Sequence, residues 1–131
     1  MERNLMMKEK FHNSLIVAGG GAIGSTFRYM FSFAHSYGPF STFTVNIIGS
    51  FLLGFFTVFF TNRVENKKSK LLLGTGFCGG LTTMSTLSLE LTTMPIHQAI
   101  LYLICTLIIS FLLVLIGMKI ARNIVKKETS S

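Results

Sequence analysis

The sequence predicts an all-α membrane protein with four transmembrane helices, the third of them broken near its middle. Three observations carry that reading. Half of the 131 residues are hydrophobic and only 13% are charged, about half the charged share of a soluble domain. Four apolar stretches, 14–33, 40–61, 71–93 and 96–118, each reach the roughly 20 residues that a spanning helix needs. The third carries Gly76, Gly79, Gly80, Thr82, Thr83, Ser85 and Thr86 within eleven positions, a poor recipe for an uninterrupted helix. In hydrocarbon a disturbed backbone survives only where protein buries it or where it lines a polar cavity. The break therefore points to an ion site.

The length fits one domain. It divides into a polar N-terminal segment (1–13), a four-span membrane domain (14–118) and a basic C-terminal tail (119–131). Residues 1–13 and the tail from about Asn123 read as mobile or interfacial. The first span is too long for a signal peptide, lacks a clear small-residue cleavage site and is followed by three more. Its Gly19, Gly21 and Gly24 formally match a dinucleotide-binding fingerprint, but no strand precedes them and no acidic residue follows at the required distance. Close helix packing explains them better, with Gly20 and Gly24 as a small-xxx-small pair. Ser50 and Gly54 in the second span, and Gly76 and Gly80 in the third, repeat that spacing.

The second span places Asn46 about six residues from its start. Its amide is costly to leave unpaired in lipid. It serves either an interhelical hydrogen bond or donation to a permeating anion. In the third span, Ser85, Ser88 and Thr92 extend a hydroxyl stripe beyond the break. In the fourth, Tyr102, Thr106 and Ser110 fall at i, i+4 and i+8 and share one face. Such hydroxyls either back-bond to the carbonyl one turn earlier or form a rail of donors along a pore. Pro39 and Pro95 punctuate the two short loops, so neighbouring spans pack as antiparallel hairpins.

Arg28 and Glu90 are the deep charges. Each lies roughly 20–28 Å from the basic side at 1.5 Å per residue, near the opposite interface. They are expected to compensate each other, within or across subunits. The remaining eleven basic residues all lie on one side of the four-span topology, while loops 35–39 and 94–97 carry none. The positive-inside rule then puts both termini in the cytoplasm of a multi-pass protein of the bacterial cell membrane. The clusters set topology and touch anionic headgroups; without aromatic–basic interleaving they do not indicate a nucleic-acid partner. Cys78 and Cys105 fall inside spans with no zinc or disulfide pattern. No nucleophile–base pair suggests an enzyme.

Taken in order, these motifs resemble the Fluc (CrcB) family of small bacterial fluoride channels. Gly20-Gly21-Ala22-Ile23-Gly24 with Arg28-Tyr29 is similar to the family's first-span signature. Thr44-Val45-Asn46 with Gly49-Ser50-Phe51 resembles its second. Gly76-Phe77-Cys78-Gly79-Gly80-Leu81-Thr82-Thr83 is nearly its third-span break, and Tyr102, Thr106 and Ser110 follow its fourth-span hydroxyl pattern. The resemblance implies passive permeation of fluoride through an antiparallel dimer whose third-span breaks cross at the centre. It implies a structural Na⁺ there, held by backbone carbonyls at Gly79 and Thr82, and an ion path through Asn46, Ser85, Tyr102, Thr106 and Ser110. Composition and spacing do not name fluoride; the resemblance does.

Two departures from the family pattern stand out. Where the family presents two phenylalanines after the break, this chain has Met84 and Leu87, which lack the positive ring edge that can face an anion. The strong Lys/Arg bias also fits one-way insertion, whereas a chain that inserts both ways carries little bias. The expected assembly is therefore a heterodimer with an oppositely oriented homologue, one of its two pores impaired. A non-conducting partner or scaffold subunit is the alternative. A small multidrug antiporter needs a titratable carboxylate in its first span, and this one has none.

Overall fold

A computed structural model describes residues 1–34, 38–61 and 67–129. Helix α1 spans Glu2–Ala34 and α2 spans Pro39–Thr61. The third region begins with a short α turn, α3 (Lys67–Ser69), widens into a π-helical section, π1 (Lys70–Phe77), and returns to an α turn, α4 (Cys78–Leu81). After a break come α5 (Ser85–Thr92) and α6 (Ile96–Thr129). No strand occurs among the described residues.

The end segments are helical: α1 is helical from Glu2 and α6 runs to Thr129. No Gly or Pro falls between residues 2 and 18 or after 117, so nothing in the chain stops either helix. At 1.5 Å per residue both are about 50 Å long, well beyond the roughly 30 Å of a hydrocarbon core. At one end Lys67 Nζ meets Glu9 Oε1 at 2.6 Å, both side chains exposed. That contact sets the projecting start of α1 beside the start of α3. The prolines begin helices: Pro39 is the first residue of α2, and Pro95 O accepts the Gln98 and Ala99 amides at the start of α6, positions where the missing N–H costs nothing.

Two packed seams build the molecule: α1 lies along π1 and α4, and α2 lies along α6, with α5 resting on α6 and α2. Small residues permit the approach. A Cβ on Gly24 would sit 2.1 Å from Phe77 O, and one on Gly80 would sit 2.2 Å from Gly21 O. Gly76 and Gly80 therefore serve packing against α1 while Gly79 faces open space, and the chain stays helical through Leu81. The break falls at Thr82–Met84, inside the expected stretch 76–86, where Thr82 turns extended with ψ 152°.

Few side chains are fully buried; Val45, Cys78, Leu81, Leu87, Ala99 and Ala121 are the apolar ones. Large apolar residues instead face outward, including Phe27, Met30, Leu101, Leu107 and Phe111. An apolar exterior of this extent suits lipid as the solvent. By length and apolarity, α2 (Pro39–Thr61) and α6 (Ile96–Glu128) each suffice to cross a membrane. Cys78 is buried and Cys105 half-buried, and both are free thiols.

Candidate functional site

The break is completed by side chains from other helices. Thr82 N–H makes the last helical bond, to Cys78 O at 3.0 Å. The next amide, Thr83 N–H, turns away and donates to Asn46 Oδ1 at 2.7 Å, while Asn46 Nδ2 donates back to Thr83 O at 3.0 Å. Arg28 Nη1 donates to Thr82 O at 3.2 Å, and Ser25 Oγ donates to Gly80 O at 3.4 Å. Beyond the break, Thr83 Oγ1 accepts the Thr86 amide at 3.2 Å, the bond an N-cap makes to start a helix. Backbone groups that would otherwise be stranded in an apolar medium thus find partners.

Beside this staple lies a cavity of about 240 Å³. Asn46 and Ser50 of α2, Thr82, Thr83 and Met84 of the break, Leu87 of α5, and Thr106 and Ser110 of α6 contribute to its wall. The two N–H groups of the Asn46 amide divide: one is spent on Thr83 O, and the second remains for another acceptor. Ser110 Oγ is buried without a hydrogen-bond partner among the described residues. A buried hydroxyl left unpaired is costly, so this one is a donor in waiting. Met84 is 58% exposed in the isolated chain and Leu87 only 1%.

The expected ion-path residues separate. Asn46, Thr106 and Ser110 meet at the cavity together with Met84 and Leu87. Thr106 Oγ1, however, back-bonds to Tyr102 O at 2.7 Å. Tyr102 lies elsewhere: its hydroxyl is 2.9 Å from both Pro39 O and Glu90 Oε2, sharing one proton between them, and its ring lines an apolar recess with Phe40, Phe43 and Cys105. Ser85 is exposed and hydrogen-bonded to Thr83 Oγ1. Ser88 and Thr92 back-bond within α5, to Met84 O and Leu89 O.

The deep charges take separate partners. Glu90 Oε1 accepts the Thr42 hydroxyl at 2.6 Å and its Oε2 faces Tyr102, while Arg28 serves the Thr82 carbonyl. No ion pair joins Arg28 and Glu90 among the described residues. Within one subunit, neutral hydrogen-bonding groups face each of the two charges. A second polar cavity, about 230 Å³, opens on the other side of Thr83, between Arg28, Ser32, Thr42 and Thr86. Thr42, Ser50 and Thr83 also line these cavities without having been expected there; Thr42 was within reach, lying one turn before Asn46 on the same helix.

The carbonyls at Gly79 and Thr82 suit a hard cation in different degrees. In a continuing helix the Thr83 amide would close the Gly79 carbonyl, and here it bonds Asn46 instead. Gly79 itself is exposed, with nothing within 4 Å of where a Cβ would stand. Its carbonyl is therefore free of that helical bond, as an oxygen ligand needs. Thr82 O already accepts from Arg28 and offers only its second lone pair.

Comparison with known proteins is consistent across the chain. The fluoride-specific ion channel FluC 1 of Mycolicibacterium paratuberculosis is 43% identical over 98 residues, covering 71% of this chain and 74% of the relative. FluC 2 of Bacillus licheniformis is 42% identical over 111 residues, or 78% and 84%. FluC of Prosthecochloris aestuarii is 36% identical over 126 residues, or 88% and 98%. The family model described as CrcB-like protein, Camphor Resistance (CrcB), matches residues 15–118, from within α1 to within α6, and this chain belongs to that family of membrane proteins.

Proposed function

We propose that this chain is a subunit of a fluoride-specific ion channel that lets cytoplasmic fluoride leave by passive permeation and so lowers its concentration in the cell. The names of the relatives support the ion. The observation that carries the reading is the cavity at the break, where the Ser110 hydroxyl, unpartnered among the described residues, and the second Asn46 N–H both await an acceptor. A small, strongly hydrated anion gives up water only where fixed donors replace it. The chemistry is that of a channel and not of an enzyme.

What one subunit leaves bare supports a paired assembly. Gly79, Met84, Ser85 and Thr86 flank the irregular backbone and are exposed in the isolated chain. Irregular backbone does not face lipid, so a second subunit covers this face. Four spans with both termini in the cytoplasm of a bacterial cell follow from the one-sided charge. In an antiparallel pair the partner is then an oppositely biased homologue, and relatives numbered FluC 1 and FluC 2 fit paired subunits. The Gly79 and Thr82 carbonyls would hold a structural Na⁺ where two breaks cross. With Met84 and Leu87 in place of aromatic edges, the wall this chain supplies is the weaker of the two.

Fluoride efflux from liposomes tests the reading, using this chain alone, the homologue alone, and both together. Efflux is expected only, or far faster, from the pair. Normal efflux from this chain alone would rule out the heterodimer. No contribution in any combination would leave a scaffold subunit.

A further inference from the structure

A polar cavity of about 310 Å³ lies at the basic end of the bundle, between α2 and α6 and remote from the break. Among the described residues it is lined by Thr57, Val58, Thr61 and Arg122. Lys70 joins it through Thr61, whose Oγ1 accepts Lys70 Nζ at 2.8 Å and donates to Thr57 O. The ammonium is therefore held at the rim with two further N–H groups to offer. Arg122 is exposed and has no hydrogen-bond or ion-pair partner among the described residues. No carboxylate lines the cavity among them.

We propose that this cavity binds the phosphate of an anionic lipid headgroup. The guanidinium fork matches two phosphate oxygens, and Lys70 and the Thr57 hydroxyl supply a second side. Height favours lipid over free phosphate. The 23 residues of α2 rise about 34 Å, slightly more than the hydrocarbon core, so its last turn reaches the level of the headgroups. Val58 gives the wall an apolar side that suits a glycerol ester, whereas a free, fully hydrated phosphate would gain nothing from it. A zwitterionic lipid brings its own cation, which two basic groups repel. Basic clefts between helices at this level are suited to such headgroups.

The test is lipid retention by the full-length chain. Protein is exchanged into mixed micelles of phosphatidylglycerol and phosphatidylcholine, and bound lipid is counted by native mass spectrometry. Preferential retention of phosphatidylglycerol is expected, with a loss of roughly fivefold for each cation removed in Arg122→Gln and Lys70→Gln. Lys126→Gln with Lys127→Gln, further along α6 and outside the cavity, should lower retention by less than either single variant. Arg122→Lys keeps the charge and loses the fork, and should fall between; circular dichroism confirms that each variant is helical. Equal retention of the two lipids, or full retention by the Arg122→Gln/Lys70→Gln protein, would overturn the proposal. Displacement of phosphatidylglycerol by millimolar inorganic phosphate would reassign the site to the free anion. None of these readouts depends on fluoride, so the lipid site and the channel reading fail separately.

Discussion

Asn46 grips Thr83 by both of its backbone groups, accepting its N–H at 2.7 Å and donating to its carbonyl at 3.0 Å. This one amide takes the place of the helical bonds that Thr83 gives up, and it does so from a different helix. Asn46 thus belongs to the architecture of the break before it belongs to any ion path. Its remaining N–H reaches the cavity only because the first is already fixed.

Asn46→Ala should therefore do two things at once. It orphans a buried amide and a buried carbonyl, each costing about 1–3 kcal/mol, and it removes a donor from the cavity wall. Thermal unfolding in detergent should show a clear loss of stability alongside loss of efflux. Loss of efflux at unchanged stability would mean that the Thr83 contact is dispensable.

Ser110→Ala separates conduction from stability. The Ser110 hydroxyl bonds to nothing among the described residues, so removing it breaks no contact and relieves an unsatisfied polar atom. The variant should melt at or slightly above the wild-type temperature. Fluoride efflux through the pore lined by this subunit should nevertheless fall. Unchanged efflux would show that the path does not touch this cavity wall.

The contrast between these residues marks how far sequence could lead. The periodicity of Tyr102, Thr106 and Ser110 placed all three on one face of α6, and that face does meet the break. Which hydroxyl stays free was not legible, because each answer depends on reach. Tyr102 is long enough to meet Glu90 and Pro39, Thr106 is short and turns to its own helix, and Ser110 finds neither. The region of the helix break was legible from composition, but its cause was not. Glycine and hydroxyl residues marked the stretch 76–86, and within it contacts from Asn46 and Arg28, dozens of residues away in sequence, hold the break at Thr82–Met84. Such pairings are set by tertiary packing, which local propensity does not contain.

The exposed contact between Glu9 and Lys67 carries a pH dependence outside the membrane-spanning segments. Hydrogen bonding to Lys67, then its charge, hold the Glu9 carboxyl below its ordinary value. A depressed value means that the contact's contribution is complete above the usual carboxylate range. It is lost as pH falls through the depressed value. Lys67→Gln should return the Glu9 titration, followed by carboxyl NMR, to ordinary pH. Because both side chains are exposed, the melting temperature at neutral pH should barely move. A large drop would mean that the projecting end of α1 is held mainly by this pair.

Glycine substitutions discriminate the seam within a subunit from the face between subunits. A methyl group at Gly24 meets Phe77 O at 2.1 Å, and one at Gly80 meets Gly21 O at 2.2 Å. Both obstacles are backbone, so α1 must separate from π1 and α4. Overpacking of this kind costs about 1–3 kcal/mol, occasionally more, and either alanine variant should destabilise the subunit itself. At Gly79 nothing lies within 4 Å, so Gly79→Ala should leave the subunit's melting temperature intact. Under the proposed assembly the same methyl group sits where two breaks cross, and crosslinking in membranes should show fewer dimers. If Gly79→Ala dimerises normally and conducts normally, the exposed side of α4 is not the face that a partner covers.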